Sequence, residues 1–287
     1  MKTIALIFDF DDTLLPDSTT ELLSRHGVDA NKFWSQQAKG LLDQGYEPTL
    51  AYLNLLLGMI GKGKPLGALT NNDLRKFGAT IDDTFYPGVK TLFKDLRALV
   101  TQVNSELNIE FYIISGGLID VIQGSKLVNS NFTGVYGCKF GEDAQTGVIS
   151  NIKRTISFTE KTRYLFEINK GIRPVDTEKN QYVVNKDVPD SRRRVPFKNM
   201  IYVGDGLTDI SCFSLLKKNG GTAFGIFRPA EEQSARKAFL EFLQTGRVLS
   251  MHAPRYSKTA ELGALLRAAV GNIASRIVID GSQAEFE

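Results

Sequence analysis

The stretch Ile4-Ala-Leu-Ile-Phe-Asp-Phe-Asp-Asp-Thr-Leu14 decides the fold class. It begins with five apolar residues, Ile4–Phe8, and continues into the carboxylates of Asp9, Asp11 and Asp12. A short continuous apolar run is typical of a strand that is buried on both faces, as in a parallel sheet. Acidic residues placed where such a strand meets its loop predict a site at the carboxyl edge of an open sheet.

Two further apolar strands are predicted to end in polar residues in the same way. Phe111–Ile114 leads directly into Ser115-Gly-Gly117, and Asn199–Val203 leads into Gly204-Asp-Gly206. Helical patterns separate the strands, which predicts an α/β fold with a Rossmann-like core and a mostly parallel sheet. Because the carboxyl ends of parallel strands lie at one edge of the sheet, we expect these polar residues to converge on one crevice.

Residues 16–86 show helical spacing of apolar residues instead of short apolar runs, which predicts a small helical domain inserted after the first strand. Within them, Trp34–Ile60 carries apolar residues at helical spacing, and Asn72 is placed to cap a further helix. The main α/β domain is then expected to comprise residues 1–15 and 87–287. Its remaining predicted elements are a helix from Pro87, a β-excursion over 134–152, helices over 160–168 and 229–243 and from Ser257, strands over 222–227 and 248–251, and a long loop over 171–198.

The composition indicates a globular protein without the features of a nucleic-acid or membrane binder. There are 35 basic and 32 acidic residues, so the net charge is only +3 and no strongly basic surface is expected. No apolar run approaches the ~18 residues of a membrane span, so we expect a cytoplasmic protein with neither a membrane nor a nucleic-acid partner. The two cysteines cannot make a disulfide framework or a zinc site by themselves, the two histidines stand alone in the sequence, and the sequence predicts no oligomeric state.

The acidic residues at the strand ends predict a metal site. Carboxylates that share one place repel one another unless a cation compensates. Ligands that are all oxygen favour a hard ion that keeps part of its water, which predicts Mg²⁺ rather than zinc. The predicted metal ligands are Asp9, Asp11, Asp205 and Asp209. Carboxylates, Mg²⁺, a lysine and a hydroxyl are the groups that phosphoryl transfer requires.

Four motifs in order carry a resemblance to a known superfamily. Asp9-Phe-Asp-Asp-Thr-Leu14 resembles the first motif (DxDxT) of the haloacid dehalogenase-like hydrolases, and Ser115 after an apolar strand resembles the second. Lys161 is similar to the third motif, and Gly204-Asp-Gly-Leu-Thr-Asp209 to the fourth (GDxxxD). The resemblance covers 1–15 and about 87–225. The insertion lies where the superfamily's type 1 helical caps lie. In this organisation the chain is similar to the phosphoserine phosphatase-like group.

The resemblance implies a Mg²⁺-dependent phosphomonoesterase that acts on a small phosphorylated metabolite. Asp9 would attack phosphorus to give an aspartyl-phosphate, and Asp11 would protonate the leaving alkoxide and later activate water. Ser115 and Lys161 would bind the phosphoryl oxygens. Thr13 would hold Asp11 and its loop. The residues expected to bind substrate are Thr13, Gly116, Gly117 and, where the insertion begins, Ser18 with its neighbours Asp17, Thr19 and Thr20.

The chain departs from the phosphoserine phosphatase-like group at two places. Ser18 stands where those phosphatases carry a glutamate that faces the cap, and Leu50–Ile60 contains no arginine to clamp a carboxylate. We therefore do not expect phosphoserine itself to be the substrate.

Two other functions are alternatives to a phosphomonoesterase. A phosphotransferase or phosphomutase would form the same aspartyl-phosphate and pass it to an alcohol instead of water. A catalytically idle binding protein would be expected to have lost Asp9, Asp11 or Asp205, all of which are present.

Arg192–Arg194 either reaches over the site toward an anionic substrate or forms a solvated surface.

Overall fold

A central sheet organises the molecule, for which a computed structural model describes residues 2–283. The strands are β1 Thr3–Phe8, β2 Asn108–Leu118, β3 Gly134–Glu142, β4 Ile149–Arg154, β5 Met200–Gly204, β6 Thr222–Ile226 and β7 Ser250–His252. Within the described residues they form one seven-stranded sheet in the order β4-β3-β2-β1-β5-β6-β7. Neighbouring strands pair in parallel except β3 and β4, which are antiparallel. The predicted α/β class with a mostly parallel sheet is confirmed.

The register of the sheet brings three strand ends to one level. Phe8, the last residue of β1, pairs with Ile113 on β2 and with Val203 on β5. All six residues of β1 are buried, as its continuous apolar run predicts for a central strand covered on both faces. The polar residues that follow these three positions therefore lie at the same edge.

Helices connect the strands and cover both faces of the sheet. They are α1 Ser18–Arg25, α2 Ala30–Lys32, α3 Lys39–Asp43, α4 Pro48–Gly58, α5 Asn71–Gly78, α6 Val89–Val103, α7 Ile119–Ile122, α8 Lys126–Asn131, α9 Phe158–Lys170, α10 Pro174–Lys179, α11 Ile210–Lys218, α12 Glu232–Ala238 and α13 Glu261–Gln283. A π-helical turn, Phe33–Ala38, joins α2 to α3, and a second one, Phe239–Leu243, follows α12.

The segment between β1 and α6 contains α1 to α5, in agreement with its helical pattern. The helical prediction for Trp34–Ile60 is interrupted between α3 and α4, where Glu47 caps the helix that begins at Pro48. The predicted cap of α5 was wrong by two residues. Thr70 Oγ1 accepts the N–H of Asp73 at 3.1 Å, so Thr70 is the cap and Asn72 already lies inside the helix.

The predicted long loop over 171–198 contains α10 and several short 3₁₀ turns. Its arginines do not reach the carboxyl edge of the sheet. The guanidinium of Arg194 donates to the carboxylate of Glu110 near the amino end of β2, and Arg193 donates to Asn169 Oδ1 at 3.0 Å. Arg192 is exposed. The arginine run therefore stabilises the loop on the far side of the sheet instead of contacting a substrate.

The last helix corrects the expectation that no segment resembles a membrane span. Within the described residues, Glu261–Ser282 is long and apolar enough to cross a membrane, with a mean hydropathy of 1.5. Its isoleucines, valines, leucines and alanines raise that mean without forming a continuous apolar run. This is weak evidence for a span, because α13 packs on α6 and β1 through a buried stripe. The stripe consists of Leu262, Leu266, Val270, Ile273, Ala274 and Ile277.

Candidate active site

Asp9 lies directly after β1 and is 7% exposed. Its Oδ1 accepts the backbone N–H of Phe10 at 2.8 Å, and its Oδ2 lies 3.2 Å from Lys161 Nζ. Burial raises the pKa of Asp9 to about 6, although the charge of Lys161 lowers it in part. At neutral pH Asp9 is therefore an ionised carboxylate fixed at the sheet edge.

Lys161 is a fully buried cation shared by two carboxylates. It lies on α9, and its Nζ donates to Asp209 Oδ1 at 2.6 Å in addition to its contact with Asp9. Burial lowers the pKa of Lys161, but the charges of Asp209 and Asp9 outweigh it and raise the pKa overall, so the ammonium stays charged. The neighbouring lysines lie elsewhere: Lys153 is exposed, and Lys170 Nζ donates to the carbonyl of Val184.

Asp209 is held by protein donors on both oxygens. Tyr202 OH donates to Oδ1 at 2.7 Å beside Lys161, and the N–H of Gly206 donates to Oδ2 at 2.9 Å. Asp209 is fully buried. Its arrangement suits a residue that fixes Lys161 and the loop after β5.

Asp205 completes a cluster of acidic side chains after β5. Asp9, Asp205 and Asp209 can each place one carboxylate oxygen within 4.8 Å of the others, a spacing that a cation could bridge. Burial, and after it the charge of Asp9, raises the pKa of Asp205 well above its usual value. A divalent ion with oxygen ligands would relieve this repulsion. Thr13, which was expected to hold Asp11, instead places its Oγ1 3.4 Å from Asp205 Oδ1.

Asp11 lies outside that cluster and is held between the insertion and β2. Its Oδ1 accepts the N–H of Ser18 at 2.8 Å, at the start of α1. Its Oδ2 lies so close to Gly117 that a Cβ there would be 2.4 Å away. Burial, followed by the charge of Asp17, raises the pKa of Asp11 well above its usual value. Asp11 therefore retains a proton more readily than an exposed carboxyl group.

Ser115-Gly-Gly117 forms the second wall of the site, inside the carboxyl end of β2. The pairing of β2 with β3 is irregular between Ile114 and Leu118, and this segment lies in the irregularity. Ser115 is buried, its Oγ accepts the N–H of Gly117 at 2.9 Å, and Tyr52 OH donates to the carbonyl of Gly116 at 2.5 Å. The irregularity interrupts the pairing until Leu118 pairs with Cys138, and irregularities of this kind often lie next to functional sites.

A cavity of about 250 Å³ lies between these strand ends and the helical segment. From the core it is lined by Asp9, Asp11, Asp12, Ser115, Gly116, Gly117, Asp205 and Thr208. From the helical segment it is lined by Asp17, Thr19, Trp34, Pro48, Thr49 and Tyr52. Ser18, predicted to bind substrate, lies outside this lining and contributes its backbone N–H to Asp11.

Sequence reasoning missed Trp34, Thr49 and Tyr52. Aromatic residues at helical spacing are the pattern of a core-facing helix, and nothing local distinguishes a ring that lines a cavity from one that fills a core. The π-helical turn that carries Trp34 is a structural sign of a functional position, but it has no sequence signature.

The comparisons with known proteins extend this description. No protein-family model matches the chain. Among curated proteins, an uncharacterized protein of Borreliella burgdorferi is 30% identical over 284 residues, which cover 90% of this chain and 93% of that protein. The chain belongs to the same family as that protein.

Proposed function

We propose that this protein is a Mg²⁺-dependent phosphomonoesterase of the haloacid dehalogenase-like type, acting on a small phosphorylated metabolite through an aspartyl-phosphate on Asp9. The observation that carries the proposal is the buried ammonium of Lys161, 3.2 Å from Asp9 and 2.6 Å from Asp209, at the edge where Asp205 also lies. A buried lysine between carboxylates is an arrangement that supplies fixed positive charge to a transferred phosphoryl group.

Asp9 is the proposed nucleophile. Its carboxylate is ionised at neutral pH and is oriented by the Phe10 N–H, so it needs no base to attack. A bond would form between an Asp9 oxygen and phosphorus while the bond from phosphorus to the leaving alkoxide breaks. Lys161 would offset the added negative charge from its buried position next to Asp9.

Asp11 is the proposed acid and base. Since its raised pKa favours a retained proton, it can protonate the leaving alkoxide in the first step. The ionised Asp11 can then take a proton from water, which attacks the aspartyl-phosphate and regenerates Asp9. The Ser115 hydroxyl and the Gly116 N–H would bind the phosphoryl oxygens, and the Gly117 N–H, which donates to Ser115 Oγ, would orient that hydroxyl.

The acidic cluster fits a hard divalent cation. Asp9 and Asp205 would hold Mg²⁺, with the backbone carbonyl of Asp11 as a further ligand and Asp209 orienting the surrounding groups. When bound, Mg²⁺ supplies positive charge that offsets the carboxylates and the phosphoryl group. The chain's own residues then provide nucleophile, acid and orientation.

The helices α1 to α5 are proposed to act as a cap over the core. In support, Asp17, Thr19, Trp34, Thr49 and Tyr52 reach the cavity from this segment. Closure of such a segment excludes water and selects the leaving group. We further propose that the enzyme acts in the cytoplasm on a dissolved substrate.

Phosphate release from a panel of phosphorylated metabolites, with Mg²⁺ and with EDTA, tests the proposal. We expect metal-dependent release that is lost in Asp9→Asn, with circular dichroism as the control for folding. Transfer of phosphate to an added alcohol would favour a phosphotransferase or phosphomutase instead. Mg²⁺-dependent binding of an ester without any turnover would favour a binding protein, and turnover that survives in homogeneous Asp9→Asn would exclude Asp9 as nucleophile.

A further inference from the structure

The cavity offers carboxyl groups and no basic side chain to a substrate. Among the described residues its lining includes no lysine or arginine, and Lys161 contacts Asp9 from a fully buried position. Lys161 pairs with Asp9 and Arg228 lies 3.5 Å from Asp12, whereas Asp17 has no basic side chain of the described residues within 4.0 Å. A phosphate ester that enters is therefore favoured if it brings a positive charge of its own. The carboxyl groups of the lining are Asp9, Asp11, Asp12, Asp17 and Asp205.

Two aromatic rings face the same space from the helical segment. The ring centroids of Trp34 and Tyr52 lie 5.8 Å apart with an interplanar angle of 48°. Their polar atoms are already bonded: Trp34 Nε1 donates to Thr20 Oγ1 at 2.8 Å, and Tyr52 OH donates to the Gly116 carbonyl. Both rings are therefore held in place and can offer faces rather than polar edges. Aromatic faces attract an ammonium group, most strongly when water is excluded.

Asp17 lines the same cavity as these rings. Its Oδ1 accepts the N–H of Thr20 at 2.7 Å, and this bond caps α1 and fixes the carboxylate. A fixed carboxylate and two aromatic rings in one cavity are a combination that recognises organic cations. The volume of about 250 Å³ is below the range of roughly 300–1,000 Å³ typical of drug-sized ligands, so the leaving group must be small.

Resting on the phosphatase activity proposed above, we propose that the substrate is a small phosphate monoester whose leaving group carries an amine or quaternary ammonium and no carboxylate. Trp34, Tyr52 and Asp17 bind the cation. Hydrolysis consumes one water: the ester O–P bond breaks, Asp11 protonates the leaving oxygen, and the products are an amino alcohol and inorganic phosphate. A carboxylate on the substrate would face the acidic lining without a cationic partner.

A pair of isosteres tests this inference directly. We expect kcat/KM for phosphocholine to exceed that for its neutral carbon analogue, in which a tert-butyl group replaces the trimethylammonium group, by about 10-fold or more. Phosphoethanolamine in the same assay distinguishes a primary amine from a quaternary ammonium, since the better of the two identifies the cation. Phosphoserine, which adds a carboxylate, is expected to be a poor substrate.

Variants locate the preference. Trp34→Leu is expected to reduce the ratio of charged to neutral kcat/KM by about 10-fold, whereas Trp34→Phe, which also loses the bond to Thr20 but keeps a ring face, retains most of it. Asp17→Asn keeps a residue able to cap α1 and removes the charge, so it too should lower the ratio. An unchanged ratio in both Trp34→Leu and Asp17→Asn would overturn the assignment of these residues.

Binding gives a readout that does not depend on turnover. Calorimetry with Asp9→Asn protein and Mg²⁺ should show tighter binding of phosphocholine or phosphoethanolamine than of the neutral analogue. Equal affinities and equal kcat/KM values would overturn this inference and leave the phosphatase proposal intact. If no ester is hydrolysed, the phosphatase proposal fails, and the ratio of affinities alone then decides whether the cavity recognises a cation.

Discussion

Gly117→Ala is expected to remove most of the activity without unfolding the protein. A Cβ at this position would lie 2.4 Å from Asp11 Oδ2 and 3.3 Å from Ser115 Oγ. Ordinary contact begins at 3.4 Å, so the carboxyl of Asp11 must move by about 1 Å. A displacement of this size at a reacting group costs about 100-fold in rate.

Gly116→Ala is the matched control. Its Cβ would meet nothing closer than the Ile156 carbonyl at 3.6 Å and Thr49 Oγ1 at 3.8 Å, which are ordinary contacts. Both variants keep the backbone N–H groups that are proposed to bind phosphate or to orient the Ser115 hydroxyl. We therefore expect a far smaller loss in Gly116→Ala, measured as kcat on the best substrate, with the melting temperatures of both variants recorded.

The leaving group separates the two steps in which Asp11 takes part. With p-nitrophenyl phosphate the leaving group needs no proton, so Gly117→Ala should still show a rapid burst of p-nitrophenolate. Its steady-state rate should fall, because the displaced Asp11 no longer activates water. Equal losses in the two alanine variants, or full activity in Gly117→Ala, would refute the role given to Asp11.

Two further predictions concern buried charge. Lys161→Met leaves the buried carboxylates of Asp9 and Asp209 without their cation, so it should lower the free energy of unfolding by about 3–5 kcal/mol in urea titrations. Exposed Lys153→Met should have little effect, and an equal loss in both variants would contradict the reasoning. The folded-state pKa of Asp9 is raised from 3.8 to about 6, so its contribution to stability is present below pH 3.8 and lost as the pH rises through 6. Unfolding curves of the metal-free protein should show this decline in the free energy of unfolding, and the decline should be smaller in Asp9→Asn. An equally steep decline in the variant would contradict the assignment of this pH dependence to Asp9.

The sheet and its acidic edge could be predicted from the sequence because β1 and β5 are short apolar runs that end abruptly in carboxylates. A strand that is buried on both faces has a continuous apolar run in its sequence, which is easy to recognise. The end of β2 was harder to predict. It continues through Ser115-Gly-Gly117 to Leu118, because Leu118 pairs with Cys138 on β3, and no local pattern indicates that contact.

The residues of the helical segment could be predicted only as helices. Trp34 lies on the π-helical turn before α3 and Tyr52 lies on α4, so their place in the cavity depends on a tertiary contact between separate elements. The partner of Thr13 was wrongly expected for a similar reason. Its hydroxyl lies near Asp205, which is distant in sequence and becomes a neighbour only through the β1–β5 pairing.

The bond from the Ser18 N–H to Asp11 has a consequence for how relatives could diverge. It comes from the backbone, so every residue except proline supplies the same donor, and Asp11 keeps this bond when the side chain at position 18 changes. The first turn of the helical segment is thereby tied to the proposed acid and base by a contact that does not depend on a side chain. Exchanging whole segments between related proteins should therefore change substrate choice with little loss of proton transfer, provided that the junction retains the start of α1.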